Sequence, residues 1–125
     1  MKGIVWLSAI EQSPIVTPQF DNLAKHFHVT MAFGVSPDAH PLGAFLGREF
    51  NILAYSNAYN DRIQALEVAL PVEIFRLCQN KFPHMTISMA HGVKPVESNT
   101  MLEDPQTVVG LDQIVKTVLE FQPFN

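Results

Sequence analysis

The apolar residues of this chain fall into short runs cut by proline, glycine and asparagine, and most of the runs are rich in β-branched side chains. That pattern predicts strands with a few brief helices between them. Residues 2–10 (KGIVWLSAI) read as a buried strand and 27–35 as a second. Residues 50–58 and 62–70 read as a hairpin turning at Tyr59-Asn60-Asp61. Residues 82–90 and 113–121 (QIVKTVLEF) complete the strands. Apolar spacing and end signals predict a helix over 18–25, capped by Thr17, with Pro18 first and Phe20, Leu23 and Ala24 buried. A second helix is expected over 72–80, between Pro71 and Asn80. A short one over 95–103 has Glu97 in its first turn. Residues 38–47 read as a loop or one helical turn, and Pro105 and Gly110 bracket a final loop.

Strand, helix, strand, further strand describes residues 2–58 and again residues 62–121. This architectural repeat predicts one α/β (α+β) domain over 1–125, in two lobes of about 1–60 and 61–125. Each lobe is expected to hold a mainly antiparallel sheet of about three strands with flanking helices. A pseudo-two-fold axis would relate the lobes across a central cleft.

Two of the strands carry the same four-residue pattern, His28-Val29-Thr30-Met31 and His84-Met85-Thr86-Ile87. Side chains alternate along a strand. Phe27, Val29, Met31 and Phe33 therefore share one face, and His28, Thr30, Ala32 and Gly34 the other. In the later strand Pro83, Met85, Ile87 and Met89 oppose His84, Thr86, Ser88 and Ala90. The apolar sets are expected in the core. The opposite sets match in order (histidine, threonine, small, small), and small residues beside a His–Thr pair leave room for a ligand.

Brought together, the two faces present two imidazoles and two hydroxyls to one small anion. Imidazoles with pKa near ~6.5 serve as base and acid at neutral pH. Threonine hydroxyls donate to nonbridging phosphate oxygens, where charge gathers in the transition state. In-line displacement at phosphorus places one histidine by the attacking oxygen and one by the leaving oxygen, with no metal or other cofactor required. The near-symmetry of the motifs leaves the base and acid roles open.

Composition narrows the substrate. The formal charge is −4, and the eight Lys and Arg are scattered. This argues against an extended nucleic-acid tracking groove and leaves a strand end or small nucleotide as partner. An apolar fraction of 47% against 16% charged describes a folded protein, and no run is long enough to span a membrane. Lone Cys78 and the lack of a signal-like start point to a cytoplasmic location. Cys78 itself reads as a buried apolar group, and His26, His40 and His91 as surface or structural residues.

The tetrads HVTM and HMTI resemble the signature of the 2H phosphoesterase superfamily, which is named for two such motifs. The segment HGVKPVESNTML is similar to the stretch after the second motif in cyclic phosphodiesterase domains of fungal- and plant-type tRNA ligases and related RNA-repair proteins. The resemblance implies a bilobal 2H phosphoesterase-like fold and metal-independent hydrolysis of an RNA 2′,3′-cyclic phosphate to a 2′-phosphate. It also implies that His28 and His84 are the catalytic pair, with Thr30 and Thr86 binding the phosphate. Lys94, Ser98 and Asn99 are candidate substrate contacts, each with a plainer reading as a solvated loop lysine or helix-stabilising residues. Two alternatives stand beside this reading. One is hydrolysis of a cyclic nucleotide or oligonucleotide signal, and the other is a noncatalytic module that binds a nucleotide or RNA end.

Overall fold

The computed structural model describes residues 1–124. Seven strands dominate: β1 (Gly3–Ala9), β2 (Asn22–Leu23), β3 (His28–Val35), β4 (Glu49–Tyr59), β5 (Ile63–Ala69), β6 (His84–Met89) and β7 (Thr107–Pro123). Two short helices, α1 (Val72–Phe75) and α2 (Glu97–Met101), and two 3-10 turns within 37–45 complete the elements. No described helix is long and apolar enough to cross a membrane.

The expected bilobal arrangement is not what forms. Strands make up 47% of the described residues and helices 14%, and six of the strands close into one antiparallel barrel. Around it the order is β6-β3-β1-β7-β4-β5, with β5 pairing back onto β6. The halves interleave: β1 lies between β3 and β7, and β7 between β1 and β4. Strand, His–Thr strand and further strand do recur in both halves, but only the second has the expected helix between its first two strands, and the halves do not form separate sheets. Closing the ring pairs backbone groups that two small sheets would leave on open edges. The barrel interior is packed by Val5, Leu7, Val29, Met31, Ile52, Leu66, Met85 and Leu119, all essentially without exposure.

The helix expected over 18–25 is also absent. The segment runs along the sheet instead, with Asn22–Leu23 paired to β6 as β2. Its amides find acceptors there: Gln19 N donates to Gln64 Oε1, Phe20 N to Ser88 Oγ and Ala24 N to the Ile87 carbonyl. Partners on β5 and β6 thus replace the internal hydrogen bonds of a short helix, whose nucleation is costly. The expected helix over 72–80 shrinks to the single turn α1. The final strand grows the other way. Gly110 does not sit in a loop but pairs with Ser56 inside a ladder that begins at Thr107↔Tyr59.

A second, smaller core lies on the outer face of β5 and β6. Ala58, Ile63, Ala65, Met89, Met101 and Leu102 form it, with Ala24, Phe82 and Val93 packed alongside. It fixes α2 next to the second His–Thr strand.

Candidate active site

The two His–Thr strands are antiparallel neighbours, registered at Val29↔Met85. Both of these residues are fully buried in the barrel. The residues flanking each, His28 and Thr30 on β3 and His84 and Thr86 on β6, therefore lie on the outer face. Antiparallel register sets His28 diagonally from His84, with Thr86 beside the first and Thr30 beside the second. The four predicted side chains do meet, as one patch on one sheet rather than across a cleft between lobes.

Each histidine is held in the same way. Nδ1 of His28 lies 3.0 Å from the carbonyl of His26, and Nδ1 of His84 lies 2.6 Å from the carbonyl of Phe82. A carbonyl only accepts, so both rings carry a proton on Nδ1 and keep the lone pair on Nε2. Burial pushes the His28 pKa down to about 4, helped by the adjacent His26 and His84 rings and opposed by the bond to the His26 carbonyl. His84 is also pushed down by burial, opposed by the Phe82 carbonyl and by the carboxylate of Glu67. Glu67 stands beside His84 in the β5–β6 register.

The surroundings of the two threonines differ. Thr86 Oγ1 is 2.8 Å from Ser98 Oγ on α2, and Ser98 is fully buried. The candidate Ser98 thus reaches Thr86 and not solvent. Thr30 is half-buried on the open side, and its carbonyl accepts from Asn80 Nδ2 at 3.0 Å. Lys94 and Asn99 are both exposed, and Asn99 Nδ2 donates to the Val96 carbonyl within its own turn.

Two expectations about the strand faces are corrected. Phe33, expected in the core, is 65% exposed and packs on Phe124, while Ala32 is buried. The cause is a pair of irregularities in β3: Thr30 pairs with Trp6 and Ala32 with Val5, leaving Met31 over, and a second shift leaves over Gly34, at φ 73°. Each extra residue inverts the alternation beyond it. The open shelf expected along Ser88 is likewise absent. Ser88 is fully buried, donates to Gln64 Oε1 at 2.6 Å and accepts from the Phe20 amide, because a register shift against β5 leaves Ile87 over and inverts the alternation.

Sequence reasoning treated His26 as a surface residue. Its ring instead stacks on Trp6 with 4.6 Å between centroids, and its Nδ1 lies 3.0 Å from His28 Nδ1. The signal was present: residues 26, 28 and 30 share one parity, as do Trp6 and Ser8 on the neighbouring strand. Two hollows, of about 430 and 510 Å³, lie along β7 and touch none of the motif residues. Among the described residues no group of three or more His, Cys, Asp or Glu is placed to hold a metal ion. Cys78 is partly buried, which raises its pKa and keeps it a thiol.

A pair of imidazoles flanked by two hydroxyls can exchange protons with one small anion and donate hydrogen bonds to it. The family model described as the fungal tRNA ligase phosphodiesterase domain matches residues 49–122, more than half of the chain. The chain belongs to that family. The matched stretch carries His84 and Thr86, while His28 and Thr30 lie before it and join the site through the β3–β6 pairing. No curated protein matches the chain at a significant level.

Proposed function

We propose that this protein hydrolyses the 2′,3′-cyclic phosphate at an RNA end, or on a small nucleotide, to a 2′-phosphate. The observation that carries the reading is the Val29↔Met85 register, which sets both His–Thr pairs on one face with both Nδ1 atoms held by main-chain carbonyls. The phosphate lies over the patch. One Nε2 takes a proton from water as its oxygen bonds to phosphorus, and the other Nε2–H gives its proton to the 3′ oxygen as that P–O bond breaks. Protons and charge balance without a further reactant. Thr30 and Thr86 donate to the nonbridging oxygens. Ser98, by donating to Thr86 Oγ1, leaves the Thr86 proton free for the phosphate.

Few cations border this patch in sequence, and Arg62 and Arg48 are engaged with Glu97 and Glu73. Recognition therefore concentrates on one phosphate, which suits a strand terminus or a cyclic mononucleotide. The test is turnover of an RNA oligonucleotide ending in a 2′,3′-cyclic phosphate, in EDTA, with the product isomer resolved by chromatography. A 2′-phosphate is expected. Tight binding without turnover would favour the noncatalytic module, and preference for cyclic di- or trinucleotides would favour signal degradation.

A further inference from the structure

The two motif histidines share the carbonyl contact and differ in the groups standing behind it. His84 faces Glu67 from β5. His28 is instead the end of a chain of rings and hydroxyl. Its ring lies 4.1 Å from that of Trp6 and 5.1 Å from that of His26. Its Nδ1 is 3.0 Å from His26 Nδ1, and His26 Nε2 is 3.0 Å from Ser8 Oγ.

We propose that His26 is a positioning residue for His28: the hydrogen bond between the two imidazoles, anchored by Ser8, fixes the His28 tautomer and aims its Nε2 at the substrate phosphate. The inference rests on reading the His–Thr patch as a phosphodiesterase site. Proton placement is dictated by the contacts. Two nitrogens at this separation accommodate one proton between them and not two. The carbonyl of His26, which also faces His28 Nδ1, has only lone pairs to offer, so the proton belongs to His28. His26 then presents its Nδ1 lone pair and carries its own proton on Nε2, directed at the Ser8 hydroxyl. Both ring N–H groups then have acceptors, and the reverse sets lone pair against lone pair at the carbonyl.

The consequence is mechanistic. When His28 gains a proton at Nε2, its Nδ1–H becomes a stronger donor and already has two acceptors in place. Protonating His26 would turn an N–H toward an N–H, so the arrangement holds only while His26 is neutral. The other groups around His28 are Trp6 and Ser8 on β1 and His84 on β6. Beyond these stand Glu120 on β7, bonded to Trp6 Nε1, and Glu67 on β5 behind His84.

Long-range proton–nitrogen NMR of the wild-type protein tests the assignment directly and needs no substrate. The expected spectrum shows His28 protonated at Nδ1 and His26 at Nε2, and the reverse pattern overturns the proposal. His26→Phe keeps a ring on Trp6 and removes both nitrogens. With a 2′,3′-cyclic mononucleotide its kcat should fall roughly tenfold to a hundredfold, with KM changed less than about threefold. The limb of its pH profile that reports His28 should also move, because the ring nitrogen that faces His28 Nδ1 is gone. An unmoved limb with wild-type kcat overturns the proposal. Ser8→Ala should shift the same quantities in the same direction by less, which keeps the test available if His26→Phe folds poorly. A wild-type protein with no turnover but the expected NMR pattern would remove the hydrolase reading and leave the hydrogen-bond chain standing.

Discussion

The strands that carry the two motifs are built from matching residues and finished in opposite ways. On β6 the polar side chains are tied on both sides of the wall: Thr86 to Ser98, and beyond a register shift Ser88 to Gln64, whose amide also reaches Asn57 Oδ1 and the Thr17 carbonyl. On β3 the polar face is backed by rings, with Trp6, His26 and His28 in one stack and the strand kinked just past Thr30. One motif is therefore held by a hydroxyl and amide network, the other by aromatic packing and a neighbouring imidazole. Equal sequence does not make the two histidines equal in chemistry.

Removing the shared element should have the largest effect. His28→Ala and His84→Ala are each expected to lower kcat/KM by roughly 100- to 10,000-fold in folded protein, measured on a cyclic-phosphate RNA end. Full activity in either variant would break the comparison at its root. Thr86→Ala should lose on the order of a hundredfold in kcat, as for one missing transition-state donor. Ser98→Ala should lose less, about three- to tenfold. That gradient tests whether Ser98 acts through Thr86; equal losses would mean that Ser98 does more than orient it.

The tied strand should show itself in stability. Gln64→Leu leaves Ser88, Asn57 and the Gln19 amide short of partners, and is expected to cost about 1–3 kcal/mol in denaturant unfolding. The ring-backed side should show itself in pH. The His28 pKa is depressed in the folded state, so the unfolded chain binds the extra proton first as pH falls. Its contribution is thus intact above about pH 6.5 and lost as pH drops toward about 4. The denaturation midpoint should decline across that window, and His28→Gln should flatten the decline. The smallest effects belong to the exposed candidates: Lys94→Ala and Asn99→Ala should change stability by less than about 0.5 kcal/mol. A large rise in KM for the Lys94 variant would show that its amine reaches the substrate.

Features of the molecule are legible in the chain to the degree that they are local. The alternation placed Met85 and Ile87 inside and His84 and Thr86 on the opposite face, because a regular strand repeats every two residues, but a register shift against β5 turns Met89 to the outer core. The same rule failed at Phe33, because a strand irregularity is set by the partner strand and leaves little mark in its own residues. The 18–25 segment carried helix signals at Thr17 and Pro18, yet Gln64, Ser88 and the Ile87 carbonyl claim its amides from more than forty residues away. Ring closure is still less local: it depends on β5 and β3 both finding β6. His26 was legible in parity, but its role needs Trp6 and Ser8, which only the β1–β3 pairing brings beside it.

The join between β3 and β6 has a consequence for how the molecule comes apart. Among the described residues that join is registered at Val29↔Met85 alone, whereas β4 and β7 are laced from Glu49↔Val118 to Tyr59↔Thr107. The reactive patch straddles the thinnest seam in the wall. On the proposed function, a phosphate gripped from both sides would act there as a rivet, adding across the gap the ties that the backbone supplies elsewhere. Occupancy would then strengthen the barrel by mass action, and product release would loosen it again. Each turnover would fasten and unfasten the place where the wall is most easily parted.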